Sequence, residues 1–402
     1  MRLMVVNLSD MPNMHTSPEN PEHTKLRDAV RDFADREIAP HIARWDRESR
    51  LPVEVVHQMG ELGLFGLTAP EEYGGSDLGL TGLSIAVEEI GRVDQSVGIT
   101  LGAGVGLGVG TLLAYGTEEQ KQTWLPDLVA GRRLGAFGLT EPGAGSDANA
   151  MSTTAELVDG EWVINGAKQF ITNSGTPITS LCTVAARTGT LPDGRPELSA
   201  IIVPTDTPGF IVEPLHDKMS WRSCDTHALR FENVRVPEAN LLGVRGNGFK
   251  QLMISLNTGR VAVAALATGC IQAMLDLSVE HAGVRPTFGG PIGRKQGVAF
   301  QIADVEVMLQ ASRALTYRAA ALKDGGAPLD EFRRASSVAK LYATESAVTA
   351  TRIAAQVFGG YGVMEDGPIA RFYRDAKVLE IGEGTSELQR MLIARGLGLP
   401  VE

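Results

Sequence analysis

The acid Glu383 stands between Gly382 and Gly384 in the stretch 356–390, QVFGGYGVMEDGPIARFYRDAKVLEIGEGTSELQR. Glycine on both sides lets the backbone take dihedrals that a side chain forbids, and it lets a flat ligand approach the main chain closely. A carboxylate held this way suits a base acting on a bound substrate. An acid in a Gly-flanked turn is also often merely solvated, so the motif alone leaves both readings open. Glu380 and Glu387 compete for the role, but neither is flanked by glycines. A helix is expected from Ser386: Ser386-x-x-Gln389 reads as a capping box with Glu387 in the first turn, which puts Glu383 just ahead of a helix N-terminus.

Three other segments carry groups that hold ligands. In 136–150, AFGLTEPGAGSDANA, Thr140, Ser146 and the amides freed by Gly143 and Gly145 make a nest of donors at a strand end, fit for phosphate or electron-rich ring atoms. The same residues also read as an ordinary exposed Gly/Pro turn. In 168–175, KQFITNSG, Phe170 and Thr172 lie two apart on a strand and share a face that can stack on a ring and donate to it. A buried Phe beside an ordinary strand Thr is the plainer alternative. In 285–296, RPTFGGPIGRKQ, Arg285 and Thr287 can hold a pyrophosphate through the planar donor fork of arginine. A helix-terminating loop with a solvated Arg fits the same letters.

The elements that must position these groups fall into three blocks. The chain has 402 residues, 43% hydrophobic and 21% charged, enough for two or three domains with real cores. Residues 1–20 are polar and Pro-containing and read as a mobile extension. Residues 21–134 read as helical: Leu26, Val30 and Phe33 recur at helical spacing, Leu62 to Leu67 and Leu83 to Ile90 continue it, and Thr117-x-x-Gln120 is a capping box opening a helix at Glu118. Residues 135–245 are rich in Thr, Val and Gly, with hairpin signals at Asp159-Gly160 and Asn165-Gly166 and strands at 170–172, 181–185, 199–203 and 228–231. Helices return over 246–402, long and apolar at 249–281, 300–322 and 333–358, as in a bundle that packs across subunits.

Composition also excludes. A net charge of −11 argues against nucleic acid as a partner. Cys182, Cys224 and Cys270 lie far apart with no CxxC pair, so neither a disulfide framework nor a Cys-rich zinc site is expected, and a reducing cytoplasm fits. The seven His residues show no HExxH spacing, and no metal is expected. No GxGxxG or GxxxxGKS motif occurs. No membrane span is expected, because the apolar run 99–115 is broken by Gly at every second position from Gly102 to Gly110. The N-terminal apolar residues are too few for a signal-peptide core.

In order and spacing, the chain from about residue 22 to 398 resembles the acyl-CoA dehydrogenase family of flavoproteins. LTEPGAGSDANA (139–150) looks like one family signature. Gln356-x-x-Gly-Gly-x-Gly with Asp366, Arg371 and Asp375 looks like another, and FITNSG, RPTFG and EGTSELQR match further segments. The resemblance implies a mainly α fold with a central β-domain: an N-terminal helical domain, a middle β-barrel domain and a C-terminal four-helix bundle, assembled as a homotetramer that is a dimer of dimers. It implies FAD between the β-domain and the bundle. Phe137, Leu139, Thr140, Gly145 and Ser146 are then expected at the flavin or the nearby CoA, with Ser146 shared by the substrate, and Phe170 and Thr172 against the ring system. Arg285, Thr287, Phe288, Gln296, Gln356, Gly359 and Gly360 are expected to reach the FAD of a neighbouring subunit, and Thr385 and Glu387 its diphosphate or ribose. Asn257, Arg260, Gly382 and Gly384 are expected at the substrate.

The implied reaction is α,β-dehydrogenation of an acyl-CoA thioester. Glu383 removes the α-proton as hydride leaves the β-carbon for flavin N5, a ribityl hydroxyl and the Glu383 N–H polarise the carbonyl, and electrons pass to an electron-transfer flavoprotein. Some relatives place the base before an Arg on the long helix. Here that position is Gly259, before Arg260, and Gly cannot be a base. Desolvation is expected to raise the pKa of Glu383 toward neutrality. Three departures bear on substrate: Gly382 stands where an aromatic is frequent, Phe170 where Trp is frequent, and Asn257 where Asp is common. With the glycines 102–110, Gly382 points to a branched, cyclic or otherwise bulky acyl group, although close helix packing also explains that run. Asn257 leaves a thioester on an acyl carrier protein as the alternative to free CoA. An O2-reactive relative of the nitroalkane-oxidase kind would carry Asp as base. A flavin-bearing DNA-protection protein of the same fold needs a basic surface that this chain lacks.

Overall fold

The computed structural model describes residues 20–214 and 217–401, so the extension read over 1–20 lies almost wholly outside the described residues. The first block is helical: α1 (Pro21–Phe33), α2 (Ile42–Glu48), α3 (Val53–Glu61), α4 (Gly79–Val93), α5 (Gln95–Ala103), α6 (Gly110–Tyr115) and α7 (Glu118–Val129). Its starts follow local chemistry. Asn20 caps α1 by accepting from Glu22 N, with Pro21 in the first turn, and Thr117 and Gln120 form the expected reciprocal box at α7. The helix expected across Leu62–Leu67 is interrupted: α3 stops, Gly63 turns left-handed at φ 73°, and Leu64–Gly66 form one 3₁₀ turn. A glycine at positive φ ends the helical path there at no steric cost.

The glycine-rich run expected to thin the substrate pocket is mostly packing. Between α5 and α6 the chain widens into a π-helical stretch, Gly104–Val109. A Cβ on Gly104 would sit 2.8 Å from Phe65, and one on Gly108 would sit 3.2 Å from the Gly135 carbonyl. Only Gly106 looks toward Gly259, at 3.9 Å.

Among the described residues eight strands follow: β1 (Leu134–Gly138), β2 (Thr154–Val158), β3 (Glu161–Thr172), β4 (Thr179–Thr190), β5 (Pro196–Pro204), β6 (Phe210–Val212), β7 (Thr226–Pro237) and β8 (Leu241–Leu242). They pair in the order β6-β7-β3-β2-β4-β5-β8, with β1 parallel to β4. Asp159-Gly160 makes the β2–β3 hairpin, both residues at positive φ (52° and 80°), as a type I′ turn requires. Asn165-Gly166 is not a turn. It is a bulge inside β3, where the register against β7 slips between Ile164 and Gly166. Gly166 is packed there against Thr153, so its lack of a side chain serves close approach. A second slip, between Lys168 and Ile171, changes which side chains face in. Trp162, Ile164 and Lys168 are buried, yet Phe170, at φ 61°, points out and Ile171 points in. The bulge therefore places Phe170 and Thr172 on the outer side; strict alternation from Trp162 would have buried Phe170.

The last block contains α8 (Gly248–Val284), a small hairpin β9–β10 (Pro286–Thr287, Gly290–Pro291), α9 (Gln296–Asp324), α10 (Leu329–Phe358), α11 (Pro368–Leu379) and α12 (Ser386–Gly396). Helix α8 is the spine, packing on α4 and α5 of the first block, on β5, and on α9, α10 and α11. Its unbroken buried stretch from Gly259 to Ile271 is almost all small or β-branched, which lets neighbours approach on every side. By length and composition alone, Gln95–Tyr115 and Gly248–Val284 could cross a membrane, but 78% of each window is buried inside the protein.

Candidate active site

Glu383 lies in the turn between α11 and α12 at φ 56°, followed by Gly384 at φ 93°. A left-handed conformation costs a residue with a side chain roughly 1–2 kcal/mol. Hydrogen bonds, worth about 1 kcal/mol each, hold it there. Gln389 Nε2 donates to the Glu383 carbonyl at 3.3 Å and to the Gly384 carbonyl at 2.9 Å, and Lys340 Nζ donates to the same Gly384 carbonyl at 2.9 Å. Both donors are wholly buried. The capping box read at Ser386 is corrected by one residue. The N-cap is Thr385, whose hydroxyl accepts from Leu388 N, and Gln389 reaches past the cap to the Glu383 turn. The helix itself starts at Ser386 as expected, and the cap lies one residue earlier because the Gln389 side chain bonds to the turn carbonyls instead of to the cap.

The carboxylate points inward. Oε2 is sealed from solvent with no hydrogen-bond partner among the described residues. A Cβ on Gly259 would lie 2.7 Å from that oxygen, so the acid rests on the bare backbone of α8. Burial pushes its pKa up to about 7, against the opposing charges of Arg260 and Lys340. The shift expected from a bound acyl group is thus already present in the protein alone. Asn257 and Arg260, both expected at the substrate, are buried and face each other: Arg260 Nη1 donates to Asn257 Oδ1 at 2.7 Å, and the Asn257 amide donates to the Ile254 carbonyl at 3.1 Å. The Glu383 N–H donates to no protein acceptor among the described residues. Gly382 meets only the Val378 carbonyl, at 3.5 Å. Of the rival acids, Glu380 is tied to Lys377 at 2.5 Å and Glu387 lies on the surface.

The nest after β1 hangs on a buried ion pair. Lys168 Nζ donates to Glu141 Oε1 at 2.8 Å and to the Leu139 carbonyl at 3.1 Å, and Glu141 also accepts from Ser152 N at 2.6 Å and Thr153 N at 3.0 Å. Burial alone would raise the Glu141 carboxyl, but these donors win and hold it at about 2. The loop is fixed from inside while Gly145 and Ser146 stay exposed, and a Cβ on Gly143 or Gly145 would meet nothing within 4 Å. Phe137 is half-buried, Thr140 accepts from Gln169 N at 2.8 Å, and the Leu139 side chain belongs to the core. Phe170 is 69% exposed beside half-buried Thr172.

At the far end of α8, Arg285 and Thr287 join Gly359 and Gly360 around a cavity of about 530 Å³. Gly359, at φ 60°, ends α10, and neither glycine would meet anything with an added Cβ. Sequence reasoning missed His281 and Tyr361 in this wall. His281 stacks on Phe358 at 4.1 Å, and the Arg285 guanidinium lies over the Tyr361 ring at 5.5 Å. Phe288, Gln296 and Gln356 are exposed outside the cavity. Lys340 and Gln389 were also missed. A trace of Lys340 is legible, since it falls among Ser336, Ala339, Ala343, Thr344 and Ala347 on one small-residue face of α10. At 1.5 Å per residue, Gly259 and Val284 are about 38 Å apart along α8, so the two ligand-facing regions of one chain are separate.

The two regions carry what a dinucleotide with a flat ring needs: open glycine backbone, an exposed aromatic on a fixed bulge, and an arginine beside a roomy cavity. These residues fit FAD. Comparison with known proteins agrees from residue 20 to residue 398. Residues 20–132, 136–234 and 246–398 match the N-terminal, middle and C-terminal domains of acyl-CoA dehydrogenase. Probable acyl-CoA dehydrogenase YngJ of Bacillus subtilis is 46% identical over 376 residues, covering 94% of this chain and 98% of that one. The mitochondrial short-chain specific acyl-CoA dehydrogenase of Mus musculus is 42% identical, covering 97% of this chain and 94% of that one. The butyryl-CoA dehydrogenase structure from Megasphaera elsdenii superposes with a TM-score of 0.91 at 37% identity, covering 95% of this chain and all of that one. With signatures, fold and inward-facing acid in agreement, the chain belongs to the acyl-CoA dehydrogenase family and is an FAD-dependent oxidoreductase acting on acyl-CoA.

Proposed function

We propose that Glu383 is the base of this dehydrogenase and that its substrate is a short acyl-CoA with a branched, cyclic or otherwise bulky acyl group. One observation carries the reading: a carboxylate with a sealed, unpartnered oxygen, raised to about 7, lying on bare Gly259. A base tuned to neutrality has the right protonation state and the strongest drive to take a proton near pH 7. Glu383 accepts the α-proton on that oxygen. Its own N–H, which donates to no protein acceptor among the described residues, donates to the thioester carbonyl as charge develops there. FAD, when bound, supplies the acceptor for the hydride leaving the β-carbon. Phe170 and Thr172 on the β3 bulge orient the ring, and the nest at Thr140, Gly145 and Ser146 holds polar atoms of cofactor or CoA.

The short length is supported by the names of the similar proteins, one short-chain specific and one butyryl. Bulk is supported by Gly382, with no side chain within 4 Å, and by Gly106 opposite Gly259, while Gly104 and Gly108 serve packing. Assembly as a homotetramer is supported by the separation of the two ligand regions along α8 and by the exposed Val284, Phe288, Phe300 and Tyr361 around the second. On this reading Arg285, Thr287, Gly359 and Gly360 complete the cofactor site of a neighbouring copy. The electron-transfer flavoprotein as acceptor rests on the family resemblance. The cytoplasmic location fits three free, buried cysteines.

The test is an anaerobic titration of the holoprotein with straight, branched and cyclic short acyl-CoAs, following flavin absorbance. Bleaching is expected with the branched or cyclic set at the highest kcat/KM. Clearly better straight C4–C8 substrates would sink the bulky-group reading. Bleaching by carrier-protein thioesters alone would replace CoA as the carrier.

A further inference from the structure

The Gly384 carbonyl receives two hydrogen bonds of equal length from buried donors, Gln389 and Lys340, each 2.9 Å. The neutral amide alone satisfies that oxygen. An ammonium with no solvent exposure is an expensive second donor, and burial pushes Lys340 down to about 8. What it adds beyond the hydrogen bond is charge, one residue away from a carboxylate with no direct cationic partner. The surrounding groups do not cancel that charge. Across α10, Glu345 is paired with Arg390 at 2.7 Å. At the end of α11, Glu380 is paired with Lys377 at 2.5 Å. From α8, Arg260 adds a second buried cation whose close acceptor, Asn257, is neutral, and Arg333 acts on Arg260 as a further positive charge. Two buried cations therefore face one carboxylate.

We infer that Lys340 is a positioning residue for the base: beneath the turn its ammonium fixes the Gly384 carbonyl and, with Arg260, supplies the positive field in which the Glu383 carboxylate is held. The inference rests on the reading of Glu383 as base. It has a sign. A nearby cation favours the charged carboxylate, so removing it moves the Glu383 pKa upward, away from about 7. Without this field burial would keep the acid protonated at neutral pH and idle as a base.

The experiment titrates the Glu383 carboxyl band by infrared difference spectroscopy in the FAD-loaded enzyme, with the band assigned by its loss in Glu383→Gln. Lys340→Met removes charge and hydrogen bond, Lys340→Gln removes the charge but keeps a donor, and Lys340→Arg keeps the charge. Met and Gln variants are expected to raise the carboxyl midpoint by about one unit and to slow flavin reduction at pH 7 about five-fold, with recovery at higher pH. The Arg variant is expected to titrate like wild type. An unmoved band in Met and Gln variants that retain FAD overturns the inference and leaves the base assignment standing. A wild-type band in Lys340→Gln alone also overturns it, since a neutral clamp would then suffice. Wild-type flavin reduction by Glu383→Gln instead overturns the base assignment, and the band titration still decides whether Lys340 sets the charge state.

Discussion

Two carboxylates in this protein, Glu88 and Glu383, turn oxygens inward near cations and end in opposite states. Glu88, on α4, accepts from Arg313 Nη2 at 2.7 Å, Arg313 Nε at 2.9 Å and Tyr317 Oη at 2.6 Å. Its neighbour Glu89 accepts from Arg27 at 2.6 Å and Arg31 at 2.9 Å, so the pair pins α1, α4 and α9 together. Burial pushes Glu88 upward, but the charges of Arg313 and Arg27 and the Tyr317 hydrogen bond win, and its carboxyl lies below the usual range. Glu383 is half-buried with Oε2 sealed from solvent, and the nearby cations Lys340 and Arg260 bond to the Gly384 carbonyl and to Asn257. There burial wins. The difference lies in where the cation bonds. Direct contact makes the acid a permanent anion and a fastener. Contact with the neighbouring backbone leaves it poised to gain or lose a proton.

That contrast can be broken from either side. The largest effect is expected from Glu383→Gln, which keeps FAD and fold but loses about 10³- to 10⁴-fold in the rate of flavin reduction, read by anaerobic stopped flow. In wild type that rate should climb as pH rises through about 7, as the acid loses its proton, and the variant should show no such limb. Next, Glu88→Gln strands Arg313 inside the protein and should cost about 3–5 kcal/mol, seen as a lowered Tm. The molecules that stay folded should reduce flavin at the wild-type rate, and a matching catalytic loss would erase the distinction between fastener and base. The smallest effect is expected from Thr385→Ala. Loss of the α12 cap should cost about 1 kcal/mol, with flavin reduction slowed several-fold as the Glu383 turn loosens.

Much of this was legible in the letters. The three long helices of the last block, the Asp159-Gly160 hairpin and the Thr117 box stand where periodicity and turn chemistry put them, because each is decided by residues close in sequence. Asn165-Gly166 reads the same way locally yet is a bulge, because the pairing of β3 with β7 outweighs turn preference. The Ser386 box failed for a similar reason, since Gln389 serves the turn ahead of the helix. Lys340 was passed over because a lysine is ordinarily a surface residue, and only packing shows that this one has no exposure.

By itself the sequence determined the family and the cofactor class, and it singled out the acid that we propose as the base. These are carried by residue types at fixed spacing: a carboxylate between glycines, and signatures in order. Only the tertiary structure decided the state of that acid. Its charge depends on Gly259, Arg260 and Lys340, which lie 124, 123 and 43 positions away by residue number, and on whether their atoms meet the carboxylate or the backbone beside it. Electrostatic energy and desolvation depend on distance through space, and no spacing along the chain encodes that distance.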